Sequence, residues 1–430
     1  MRHRTQPGEL PVQCDRRTGF FCKGWRQVAL AFSFSVVAAG VALAAPVDVY
    51  RGSLGGSEVV MELGKPQADG SRQGRYFYRR YGVDIPLKGE LHALAEAQLL
   101  RPELTEALGH QGPLFTDASG HAVLWRLQQQ GDSLSGEWVD GIHDKKLPLY
   151  LQRIAHYDPE VLEPRGVEAV TKAIVWGAGG GLSQGVAISE QVTPYDYLRL
   201  AQQRLELGKE VLVAPGLAWR PVRDARTKFW YPRLTRHPDA KILAQTNAIL
   251  EQRHWSMSLQ ALGCRASIYL NDGPAAGSLG NYEAEEIKVS YLSKTLMSVV
   301  ESGSTDCGGA HPHNHYDPFV LDLLSGGYMD FTRLFKGAKY GEYKLELSPR
   351  MQEFIRSSIA AQPEPRDEQE CTDLLPDAYM ALMFNAPGKM GFVVSGIGHA
   401  LGVCLGSGIQ IPFQKLKPYT KPGAERYFQP

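Results

Sequence analysis

Between Val47 and Tyr157, apolar residues recur at every second position in short runs broken by glycine or aspartate. A period of two places successive side chains on opposite faces of an extended strand, whereas a helix needs a period near 3.6. Ser57–Leu63 is one such run, ending at Gly64. Arg75–Arg79 is rich in aromatics, and Asp84–Lys88 leads into Gly89. His121–Leu127 is a further run. Leu134, Gly136 and Trp138 share one face, with Ser135 and Glu137 opposite, and Leu147, Leu149 and Leu151 repeat the alternation. Runs spaced about ten residues apart predict an antiparallel meander, arranged as a small barrel or sandwich. The tyrosines of Gly74–Gly82 would suit sugar stacking, but such a stripe is more commonly half core and half surface.

A chain of 430 residues is long enough for two or three domains, and 43% hydrophobic residues can build real cores. Its strongest local signal is the apolar stretch Val28–Ala45, preceded by Lys23 and Arg26 and ending in small residues. A basic flank, an apolar run and an Ala-Leu-Ala end form the three-part layout of a secretory signal peptide. Cleavage is expected near Ala44, giving a periplasmic or secreted protein with no membrane span after cleavage. The 46 basic and 46 acidic residues of the whole chain then become 40 and 44, because the leader takes six basic and two acidic residues with it. A mildly acidic mature chain is not drawn to nucleic acid, and no nucleic-acid partner is expected.

Cys14 and Cys22 leave with that leader, so four cysteines remain: Cys264, Cys307, Cys371 and Cys404. An even count in an exported chain predicts disulfides. Of three possible connectivities, Cys264–Cys307 with Cys371–Cys404 closes two separate local loops and is the expected pairing.

Residues 158–226 read as a linker. The glycines at 177, 179, 180 and 181 follow an apolar run, but Leu182 stands where a dinucleotide fingerprint needs its third glycine. Thr193-Pro194 predicts the start of a short helix running to Leu207 and stopped by Gly208. No cofactor is expected.

From 227 to 430 the pattern changes to α+β. Asp239 to about Leu259 reads as a helix with Ile242, Ile249, Leu250 and Met257 on one face, although Thr246 interrupts the stripe. Glu285–Ser304 reads as a hairpin. A strand follows with Phe319, Leu321 and Leu323 on one face, then a helix over Ser348–Ile359 begun by Ser348-Pro349. Tyr379–Phe384 and Gly408–Phe413 read as two final strands.

The order here is Tyr231-Pro232-Arg233-Leu234, a helix, a hairpin, the segment 307–319 with Gly309-Ala310-His311, a second helix and the closing Ile411-Pro412-Phe413. This series resembles the extracytoplasmic domain of RsiV-like proteins, which also occurs as a non-catalytic module in PdaC-type peptidoglycan deacetylases. The resemblance covers about two hundred residues. It implies an α+β fold after the N-terminal β meander, and a receptor role toward lysozyme-like partners or peptidoglycan. The deacetylase catalytic domain has no counterpart here, and the leader and β-rich N-terminal part depart from the RsiV layout.

His311, His313 and His315 alternate, with Asp317 two residues on. On one strand they would share a face, and neutral imidazoles are metal ligands. Pro312 and Pro318 argue against a regular strand, and the three would spread about 13 Å along one. The plainer expectation is a polar loop with His311 bonded to backbone. Ser395-Gly396-Ile397-Gly398 is no nucleophile elbow, because Val393 stands two residues before the serine. His399 is nearby, but no nucleophile, base and orienting group can be named together. Glu283, Glu285 and Glu286 read as a solvated strand edge. The sequence therefore ranks a non-enzymatic binding protein first, with His311, His313, His315 and Asp317 as its candidate site. A structural envelope protein ranks second. A metal-assisted hydrolase using the three histidines ranks third.

Overall fold

The computed structural model describes residues 46–102, 112–117, 119–159, 188–201, 204–341, 345–362, 371–375 and 380–429. The expected signal peptide and the glycine run at 177–181 lie outside them.

The N-terminal runs form a closed eight-stranded barrel. Its strands are β1 (Val47–Leu54), β2 (Ser57–Gly64), β3 (Arg72–Tyr78), β4 (Ile85–Glu90), β5 (Ala93–Glu96), β6 (Val123–Gln130), β7 (Ser133–Asp140) and β8 (Lys145–Tyr157). Each pairs antiparallel with the next, and β1 closes the ring against β8. Closure removes the edges that a sandwich would have to protect. Eight strands enclose a space that side chains can just fill. Tyr50, Met61, Leu63, Tyr76, Leu87, Leu94, Trp125 and Leu149 fill it here. Among them stands Glu96, one carboxylate oxygen of which accepts from Tyr76 Oη (2.9 Å), Trp125 Nε1 (3.1 Å) and Trp138 Nε1 (3.0 Å).

The tyrosine stripe divides between the two faces of β3. Tyr76 points into the barrel core, whereas Phe77 packs outside against Tyr195. Only Tyr81, beyond the strand, is largely exposed. Tyr195 belongs to helix α1 (Pro194–Leu200), which a polar network fastens to the barrel wall. Arg75 bridges Glu62 (3.0 Å) and Asp84 (3.1 Å). Asp84 also accepts from Arg199 (2.9 Å) and from Tyr195 Oη (2.8 Å). Helix α1 stops at Leu200 rather than Leu207, because Leu205–Leu207 is extended as β9 against Asp224–Val222.

That pairing also corrects the linker boundary. β10 (Val211–Ala214) and β9 both pair with β11 (Leu217–Asp224), and β11 pairs with β12 (Trp230–Arg236). A boundary at 226/227 would cut a hairpin in two, so the segment from 205 belongs with the α+β part.

Helix α2 (Ala240–Ala266) is capped by Asp239, whose carboxylate accepts from the Lys241 and Ile242 amides. Its buried face mixes Ile242, Ile249, Leu250, Met257 and Ala261 with Thr246, Arg253, His254 and Ser258. It covers one face of a sheet made by β13 (Glu286–Leu292), β14 (Leu296–Thr305), β15 (His313–Asp322) and the short β16 (Gly327–Tyr328). The opposite face of that sheet packs through Val300 and Tyr316 onto Ala381, Met383 and Val393. Those residues lie in a second sheet of β17 (Met380–Met383), β18 (Lys389–Val394) and β19 (Gly408–Pro412). Helix α3 (Pro349–Ala360), capped by Ser348 as its sequence predicts, buries Met351, Ile355 and Ile359 in a separate core with Met380, Leu382 and Phe392, on the other face of the second sheet.

His313–Asp322 is a regular strand despite Pro318, contrary to the polar loop expected. Pro318 lies opposite Val300 of β14, and β15 has a second partner only at Leu321 and Asp322. Over most of its length β15 is an edge strand, where a residue without an N–H is tolerated.

The cysteines pair as expected, Cys264–Cys307 and Cys371–Cys404, with Cα separations of 4.9 and 5.0 Å. The first ties the last turn of α2 to the segment leaving β14. Closing loops of 43 and 33 residues stabilises the fold by about 3–4 kcal/mol each. Among the described residues, no helix is long and apolar enough to cross a membrane.

Arg199 is only 3% exposed and shares Asp84 with Arg75. Removing the carboxylate in Asp84→Ala leaves the buried Arg199 with only the more distant Asp196 at 4.0 Å, and unfolding in urea should show a loss of about 3 kcal/mol. Arg51→Ala, which breaks an exposed pair with Glu58, should cost no more than about 1 kcal/mol. Equal losses from the two variants would refute the anchoring role of Asp84.

Candidate functional site

The polar groups of the α+β part converge where strand pairing places them. In the register of β14 and β15, Val299 faces Phe319, Glu301 faces Asp317, Gly303 faces His315 and Thr305 faces His313. Alternation puts all eight on the side of the sheet that α2 covers. Val299 and Phe319 belong to the apolar core under the helix. Beyond them the same face turns polar and opens into a cleft of about 100 Å³. Helix α2 contributes Arg253, Ser256, Met257 and Gln260 to its wall, and Tyr282 closes it near Thr305. That space suits one functional group rather than a whole sugar, since sites that engulf a drug-sized ligand run from about 300 Å³ upward.

Arg253 anchors the inner end. Its Nε lies 2.9 Å from Glu301 Oε1, and Nη2 meets the other oxygen. Nη1 donates to Tyr328 Oη at 3.2 Å, and the guanidinium lies 3.8 Å from the centre of the Phe319 ring. Tyr231 of β12 donates to the same Glu301 carboxylate. Its phenol is held far above the usual tyrosine range, chiefly by burial and then by the Glu301 charge.

His315 forms the outer wall with Glu285. Its Nε2 is 2.9 Å from Glu285 Oε2, and the Glu285 side chain is wholly buried. Gly303 makes this possible: a Cβ there would lie 2.0 Å from Glu285 Oε1. Burial lowers the His315 pKa, but the hydrogen bond and charge of Glu285 outweigh it, so the net shift is upward. Burial raises Glu285, and the Glu301 and Asp317 charges add to this against the opposing pull of His315. Asp317 is raised in the same way, by burial first, with Glu301 adding and His315 opposing. Its Oδ1 accepts from Ser395 Oγ at 3.1 Å.

The histidines therefore do not act as one triad. His313 and His315 stack with ring centres 5.6 Å apart, whereas His311 stacks on His399 at 4.4 Å. His311 Nδ1 also contacts the Pro312 carbonyl oxygen at 3.0 Å. Burial and the His315 charge lower the His313 pKa. Among the described residues, no three His, Cys, Asp or Glu side chains gather in a geometry that could hold a metal ion. Of the sequence candidates, His313, His315 and Asp317 line the cleft and His311 does not. Arg253, Glu285 and Glu301 were missed. Glu285, read as part of a solvated edge, lies beneath His315 because it continues the alternation of Ile287 and Val289, which pack under α2.

No model of a known protein family matches the chain, and no curated protein matches it either.

The raised His315 pKa fixes the sign of a pH effect. A histidine whose folded pKa exceeds its unfolded value near 6.5 contributes stability below that value, and loses it as pH rises through the folded pKa. In Glu285→Gln the NMR titration midpoint of His315 should fall, and so should the stability difference between pH 5.5 and 8. Gly303→Ala should lower the midpoint likewise by displacing Glu285, at about 1–3 kcal/mol of stability. A midpoint unmoved in both variants would rule out the pair.

Proposed function

We propose that this chain is a non-enzymatic binding protein of an oxidising, extracytoplasmic compartment, and that the cleft between α2 and the β14–β15 pair is its recognition site. The observation carrying this reading is the placement of Glu301, His313, His315 and Asp317 around an open cleft at the end of an apolar core. Polar and charged groups brought together at a cleft are the expected form of a binding site. The two disulfides and the apolar leader Val28–Ala45 support the compartment. The RsiV-like motif order supports the partner class: cell-wall material or a wall-directed hydrolase such as lysozyme.

The disulfide-bonded chain should sediment with purified peptidoglycan or inhibit lysozyme. His315→Ala and Asp317→Asn should each reduce whichever activity is found by about tenfold or more, the usual scale for a buried charged contact. The reading fails if both assays are negative, or if both variants match the unaltered chain.

A further inference from the structure

The cleft holds more negative groups than positive ones. Glu301 and Asp317 line it and Glu285 lies buried behind His315, opposed by Arg253 and, when protonated, His315. Both cations are already engaged. Arg253 divides its donors among Glu301, Tyr231 and Tyr328, and His315 turns Nε2 to Glu285. Two features are left unsatisfied. Asp317 takes one hydrogen bond, from Ser395, and among the described residues no donor reaches its other oxygen. Among the described residues, the wholly buried Glu285 side chain has no partner beyond its ion pair with His315, and the buried His315 Nδ1 has none.

From this imbalance we infer that the cleft binds a primary ammonium group, seated against Asp317 beside the His315–Glu285 pair. The inference rests on the recognition reading above and adds the chemistry of the ligand. An ammonium brings a positive charge and three N–H donors in one compact head. The space of about 100 Å³ matches such a head with the first carbons of its stem, and Met257 supplies an apolar wall for that stem. A metal ion would need several ligands converging at about 2 Å, and among the described residues no such set exists. An ammonium needs only acceptors near 3 Å. The upward shifts of Asp317 and Glu285 agree with a site short of positive charge.

The test is a titration of the full, disulfide-bonded chain with n-butylammonium and with n-butanol as its neutral match, followed by the NMR signals of His313 and His315 at pH 7. Butylammonium should give saturable shifts with a Kd of about 1–10 mM, the range open to a five-atom ligand, and butanol should give none. Asp317→Asn should weaken binding by at least tenfold, while Glu137→Gln, on an exposed barrel position, should leave it unchanged. The comparison of the two probes on the unaltered chain needs no variant to fold. Saturation by butanol as strong as by butylammonium overturns the ammonium inference but leaves the cleft as a recognition site. Binding undiminished in Asp317→Asn, or no saturable shift with butylammonium, overturns the inference whatever the sedimentation assay gives. Silence from both probes together with failed sedimentation and lysozyme assays removes the recognition reading as well.

Discussion

An arginine side chain cannot shed its charge inside a protein, and the seating of helix α2 on its sheet follows from how Arg253 is neutralised. The residue lies midway along α2, on the face turned to β14 and β15, and is almost wholly buried. A cation taken that far from water is tolerated only with a counter-charge and with its donors satisfied. Glu301 supplies the charge from β14, Tyr328 takes a further donor from β16, and Phe319 offers its ring from β15. Tyr231 reaches the same carboxylate from β12. Four strands and one helix thus meet at a single guanidinium. A slip of one residue in β14 would turn Glu301 to the opposite face and leave the charge bare.

The character of the cleft follows from that seating. Glu301 and Asp317 are directly opposite on neighbouring strands, an arrangement that is unfavourable for like charges. Arg253 pairs directly with Glu301 and acts on Asp317 only through its charge at a distance. Asp317 is left with a serine hydroxyl, and Glu285 with an imidazole. The walls that hold these groups are rigid. β14 and β15 are paired over ten residues, and the Cys264–Cys307 bridge ties the end of α2 to the segment after β14. Charged groups fixed in this way on regular elements cannot relax toward one another. Their excess negative charge is a standing property of the cleft.

Much of this was legible in the sequence. The alternation in the N-terminal runs announces antiparallel strands, and closure into a barrel is one of its two expected outcomes. The pairing of Cys264, Cys307, Cys371 and Cys404, the Ser348 cap and the hairpin ending near Ser304 are visible for similar local reasons. Local pattern does not reveal β1 (Val47–Leu54) or β5 (Ala93–Glu96), whose placement depends on closing the ring. The site was half visible. His313, His315 and Asp317 stood out by composition, but Pro318 argued against the strand that brings them together. An edge position permits that proline, and no edge can be recognised before the sheet is known. Glu285 and Glu301 carried a readable signal: each shares the parity of apolar neighbours, Ile287 and Val299, that lie under α2. Parity marks the buried face but not the depth. A glutamate at the end of an alternating run can as well be solvated. Arg253 was hidden because a polar residue on a helix stripe weakens the very periodicity that identifies the helix.

The barrel shows why one half-buried carboxylate is structural and another is not. Glu96 is half-buried in the barrel, and desolvation raises its pKa against the pull of Trp138, Trp125 and Tyr76. Three neutral donors from three different strands converge on one of its oxygens. Around it Tyr76 and Trp125 pack edge to face at 4.5 Å, within an interior filled by aliphatic side chains. A carboxylate satisfied in this way welds the barrel wall together. Asp317, with a single hydroxyl donor, has no such closure. Both groups are half-buried and both are raised by desolvation, so it is the difference in hydrogen-bond satisfaction that separates a carboxylate holding the barrel together from one still able to receive a ligand.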